Sequence, residues 1–66
     1  MKKLLKEFIG ESKPEVHIHM KDGSVYANMK IEQLSESAFR AKSRKGPVHI
    51  IQYDEVKQVK YDGAKD

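Results

Sequence analysis

The sequence predicts an all-β domain, five short strands bent into a small barrel behind a short N-terminal α-helix. Three features of the 66 residues carry this prediction. Val16, Ile18 and Met20 alternate with His17, His19 and Lys21, the period of a half-buried strand. Asp22-Gly23 follows at once, the strongest short hairpin signal. Short apolar runs then recur between turn-forming clusters as far as Tyr61, a pattern that closes best as a small barrel.

Each element follows in order. Leu4, Leu5, Phe8 and Ile9 fall at helical spacing among lysines, which predicts an amphipathic helix over residues 2–9 ended by Gly10. So short a helix does not persist alone in water, so its apolar face must dock, most simply on the open end of the barrel. After Glu11-Ser12-Lys13-Pro14 comes the first strand. Pairing across a two-residue Asp22-Gly23 loop sets Met20 against Val25, Ile18 against Ala27 and Val16 against Met29, with His19 beside Tyr26 and His17 beside Asn28 on the other face. Glu15 falls opposite Lys30. Ile31 and Leu34 continue the second strand, Ser35-Glu36-Ser37 turns the chain, and Ala38 to about Ser43 forms a third. Arg44-Lys45-Gly46-Pro47 is the next turn, Val48 to Tyr53 a fourth strand, Asp54-Glu55 a tight corner and Val56 to Tyr61 a fifth strand. Residues 1–61 read as one domain and the polar residues 62–66 as a disordered tail.

A chain of 66 residues buries too little surface to be stable by a wide margin. It has no cysteine for disulfides or thiolate metal sites, which reads as a reducing, cytoplasmic setting and leaves oligomerisation as the stabilising device. Lys6 and Glu7 interrupt the N-terminal apolar stretch short of a signal sequence, and no later run is long enough to span a membrane. Thirteen Lys and Arg against ten Asp and Glu give a net charge of +3, which suits nucleic acid or an acidic partner and equally suits solubility.

The chemistry-bearing residues point to binding. Neither a nucleophile beside a base nor paired carboxylates in a cleft is readable, so no enzyme and no cofactor or small-molecule substrate is expected. His17, His19 and His49 lack an acid or thiol at ligand spacing, so no metal site is expected either. Arg40, Lys42, Arg44 and Lys45 form a charge cluster free of acids, read either as a solvated hairpin tip or as a nucleic-acid contact. His19 and Tyr26 read either as platforms for unstacked bases or as a face that packs on a neighbouring chain. Ile51 and Val59 lie in strands whose edges need cover, and charge placed there is expected to break assembly.

The order of these elements resembles the Sm-like fold, an SH3-like barrel, and resembles the bacterial Hfq RNA chaperones more than the eukaryotic Sm proteins because the helix precedes so short a barrel. The likeness spans about Leu4 to Tyr61. Val16-His17-Ile18-His19-Met20-Lys21-Asp22-Gly23 looks like the end of the first Sm motif, Ile31-Glu32-Gln33-Leu34 is similar to the Ile-Glu-x-Phe stretch that follows it, and Ile51 to Val56 takes the place of the second motif. Where Hfq carries Tyr-Lys-His, this chain has Gln52-Tyr53-Asp54; the family's glycine in the second strand is absent and the arginine patch after the helix is reduced to Gly10-Glu11-Ser12-Lys13.

The resemblance implies a homo-oligomeric ring, six subunits favoured, that binds single-stranded RNA without catalysis. Its implied contacts are His19, Asp22, Gly23, Ser24 and Tyr26 on one ring face and Gln52, Tyr53 and Asp54 near the pore, with Arg44 and Lys45 as peripheral phosphate contacts. The other reading is a small barrel that binds protein as an adaptor, because fold alone does not decide function.

Overall fold

The computed structural model describes residues 2–10, 12–44 and 46–61. Five antiparallel strands form one sheet: β1 (Val16–Met20), β2 (Val25–Leu34), β3 (Ala38–Ser43), β4 (Val48–Gln52) and β5 (Val56–Tyr61), preceded by helix α1 (Lys2–Lys6). The ladder order is β4-β3-β2-β1-β5. The all-β class and the strand positions agree with the sequence reading, but the sheet does not close: β4 and β5 are its two ends, with no ladder between them. The expected tail at 62–66 lies outside the described residues.

The concave face carries the core. Val16 and Ile18 of β1, Met29 and Ile31 of β2, Phe39 and Ala41 of β3, Ile51 of β4 and Val56 of β5 are all buried, and they pack with Leu5 and Phe8 from the N-terminal segment. Strand alternation turns their neighbours Arg40, Lys42, Val48 and Ile50 to the convex face. Ile51 is therefore a core residue, 3% exposed, so charge there would unfold the subunit before it could test any interface.

The helix is shorter than its apolar pattern. After Lys6 the chain tightens into three-residue turns, Glu7 N–H donating to the Leu4 carbonyl and Phe8 N–H to that of Leu5, and Ile9 leaves to make an isolated parallel bridge to Ile31. Buried Leu5 and Phe8 anchor the segment, Phe8 with its ring 4.7 Å from that of Tyr61. Gly10 has the positive φ, +131°, expected of a terminator.

The first hairpin departs from the expected register. Gly23 N–H donates to the Met20 carbonyl, Met20 N–H donates to the Ser24 carbonyl, and Gly23 alone in the loop has positive φ, so the loop is the three residues Lys21-Asp22-Gly23. The Asp22 carboxylate favours this turn by accepting from both the backbone N–H and the hydroxyl of Ser24, at 2.9 and 2.6 Å. Ile18 consequently pairs with Tyr26 and His19 with Val25, whereas Val16 keeps its expected partner Met29. The offset is absorbed between Val16 and Ile18 by a bulge on the β2 side, where Asn28 takes φ +56°. A second irregularity between Ile31 and Gln33 bends β2 again, letting a ten-residue strand wrap the core.

Candidate nucleic-acid interface

The residues implied as RNA contacts do not form one surface. Directly paired residues share a sheet face, so Tyr26 lies with buried Ile18 on the concave side and His19 with Val25 on the convex side. The base platform expected from His19 and Tyr26 together is therefore not built. Tyr26 instead pairs its ring with His49 at 4.9 Å. It lines a shallow cleft of about 300 Å³ that also includes Gln52, Met20 and Glu55, so it joins a residue assigned by resemblance to the other ring face.

Asp22, Gly23 and Ser24 stay together in the exposed turn. The two hydrogen bonds from Ser24 hold the Asp22 carboxyl below its ordinary range. Lys21 N–H donates to the Glu55 carbonyl at 2.9 Å, which sets this turn beside the one-turn 3-10 segment Tyr53–Glu55. Acidic side chains thus collect at this end of the sheet: Asp22, Asp54 and Glu55 are all exposed. Such a field repels phosphate.

Tyr53 is a structural residue first. Its ring stacks on Phe39 at 5.4 Å, its hydroxyl donates to the Ser35 carbonyl at 2.9 Å, and its backbone N–H donates to the Ser37 carbonyl. Burial pushes its phenol above the usual tyrosine value, against the lowering effect of the Ser35 bond. The Lys2 ammonium lies 5.8 Å from the centre of the same ring. Beside it, between α1 and the end of β2, is a groove of about 550 Å³ bordered by Lys2, Lys3 and Lys6 on one side and Glu32 on the other.

Arg44 is already occupied. Its Nη2 donates to Glu15 Oε1 at 2.6 Å and its Nε to Oε2 at 3.4 Å, and Nη2 also lies 3.4 Å from Asn28 Oδ1. The Arg44 hydrogen bond is the main reason the Glu15 carboxyl sits below its ordinary range, with the charges of Arg44, Lys30 and His17 adding to it; Arg44 is raised in return. The acid expected to face Lys30 is thus also the anchor of Arg44. Lys45 lies outside the described residues. His17, opposite the bulge, accepts the Asn28 backbone N–H on Nδ1 at 3.2 Å.

Two cations of the cluster read from the sequence, Arg40 and Lys42, remain exposed on β3. Lys42 faces Lys30 across the β2–β3 ladder and Val48 across β3–β4, and Arg40 lies between Gln33 and Ile50. Alternation in β3 was the signal that could have separated Arg40 and Lys42 from clamped Arg44. Among the described residues no group of three His, Asp or Glu converges as a metal site, and no helix is long and apolar enough to cross a membrane. Compared with protein-family models, characterised proteins and solved structures, the chain matches none.

Proposed function

We infer that this chain is an Sm-like, Hfq-like module that assembles into a homo-oligomeric ring through its two open sheet edges and binds single-stranded RNA without catalysis. The observation that carries the reading is the sheet itself, which ends on β4 and β5 with both edges unpaired among the described residues. β4 also bears Ile50 and Val48, 68% and 45% exposed. An open apolar edge is a template for another chain. Laying β5 of one copy along β4 of the next repeats the same head-to-tail contact, which forms a ring where the rotation closes. Element order supports the resemblance, and the excess of cations supports an anionic ligand.

Native mass spectrometry of freshly purified protein tests both halves. The expected result is a single species of about six subunits with retained nucleic acid. A monomer at micromolar concentration overturns the assembly. A ring that neither retains nor binds RNA favours the protein-adaptor reading.

A further inference from the structure

The charges of this chain are segregated by structure. Among the described strand residues the cations are Lys30, Arg40, Lys42, Lys57 and Lys60, and the one acid is Glu32. Glu32 sits at the second irregularity of β2 and borders the lysine groove under α1, whereas its neighbour Gln33 pairs with Arg40. The other described acids lie in turns and in the segments flanking α1 and β1.

At the centre of the convex face Lys30 and Lys42 stand directly opposite each other. Like charges in that position destabilise a sheet. The Lys30 ammonium donates to the Lys13 carbonyl and its charge also acts on the Glu15 carboxylate, so the pair is compensated on the Lys30 side and not on the Lys42 side. Arg40 and Lys42 have no acidic partner among the described residues. They are two positions apart on β3, about 6.8 Å along the strand, and Ile50 and Val48 lie beside them in the same cross-strand rows.

We propose that the convex face of β2-β3-β4, centred on Arg40 and Lys42, is the track for the RNA phosphodiester backbone; this rests on the RNA reading above and assigns it a surface. An anion here neutralises the exposed charges of Arg40 and Lys42. The ligand must bring its charges along its own backbone and need no hydrogen bonds from the sheet, because β3 is an inner strand already paired with β2 and β4. An acidic peptide docking by strand addition requires an edge instead. The paired rows carry no aromatic side chain, since Tyr26, Phe39 and Tyr53 all pack toward the core. Contact is therefore electrostatic, tolerant of sequence and steep in salt, without the base stacking that gives purine preference.

Fluorescence anisotropy with labelled U-only and A-only strands of about 12 nucleotides tests this, using the whole chain and a salt series. The expected wild-type result is comparable affinity for both strands. Arg40→Gln with Lys42→Gln removes two phosphate contacts, so the slope of log affinity against log salt falls by ~1.4 per subunit; with affinities converging near 1 M salt, binding at 0.1 M falls ~25-fold per subunit. The urea midpoint of the double variant is expected to match wild type, because both side chains are exposed and neither has an acidic partner among the described residues. Wild-type protein that binds neither strand at low salt overturns the proposal together with the RNA reading. Wild-type binding with unchanged slope and affinity in the folded double variant overturns this surface alone. Tighter binding of an oligoglutamate peptide than of either strand overturns it in favour of an acidic protein partner.

Discussion

Asn28 determines whether the first hairpin can hold its register, and substituting it puts a number on that role. Asn28 is the one non-glycine residue with positive φ among those described, and its N–H donates to His17 Nδ1. A left-handed conformation costs an L-residue about 1–2 kcal/mol, which Asn tolerates better than most. Asn28→Val places a β-branched side chain there and is expected to lose about 1–2 kcal/mol. Asn28→Gly keeps the conformation without strain and loses only an exposed 3.4 Å contact to Arg44, which its backbone freedom largely offsets, so a change below about 1 kcal/mol is expected. A chain of 66 residues at ~0.05–0.15 kcal/mol per residue has ~3–10 kcal/mol in total. The valine variant should therefore melt ~4–16 °C lower. Thermal and urea unfolding at one fixed protein concentration would measure both variants, since self-association shifts apparent stability. If Asn28→Val proves as stable as Asn28→Gly, the bulge is not what holds the register.

Three other outcomes follow from the same structure. Ile50→Asp should abolish assembly while leaving the circular dichroism of the strands intact, because Ile50 is 68% exposed, and a variant that remains oligomeric refutes the edge-to-edge contact. Phe39→Ala removes a side chain that is 1% exposed beneath Tyr53 and should lose about 3–5 kcal/mol, read as a large drop in the urea midpoint by far-ultraviolet circular dichroism, and an unchanged midpoint refutes its place in the core. Glu15 and Asp22 both titrate lower in the folded state than in the unfolded chain, so their stabilisation is present above the ordinary carboxylate pKa of ~4 and is lost as pH falls through the folded values. The urea midpoint should thus drop at acid pH, less so in Glu15→Gln and Asp22→Asn, and identical profiles for all three proteins would remove the ionic account.

Period-two alternation fits β1 and β3, because one face of each strand is buried and the pattern cannot slip without exposing the core, whereas β5 breaks it between Val56 and Gln58 and was placed by the corner before it. Alternation could not settle the hairpin, where two loops compete. Asp-Gly serves a two-residue loop if both residues take positive φ, or a three-residue loop if Asp stays in the usual region and caps the turn. Ser24 decides it by offering two donors to Asp22, a detail of side-chain geometry and not of pattern. The shift would have exposed the core had Asn28 not taken the extra residue, so the consequence of one local turn appears several residues away. The helix was overestimated for a related reason: Ile9 fits the helical face, yet its backbone is taken by Ile31.

The candidate site was harder to read because composition counts charges without saying which are already engaged. Arg40, Lys42 and Arg44 look alike in sequence, two residues apart each time. Strand alternation sends Arg40 and Lys42 outward from β3, whereas Arg44 lies in the turn just past it and folds back onto Glu15, 29 residues earlier in the chain. The same logic applies to the aromatics: Tyr26 and Tyr53 suit a base platform by residue type, but Tyr26 pairs with His49 and Tyr53 bridges Phe39 and Ser35. Stacking a base on either ring would compete with these contacts, one between β2 and β4 and the other into the turn at Ser35. The convex face asks for no such rearrangement, since Arg40 and Lys42 already face outward, and an extended anion can lie on β3 with the sheet unchanged.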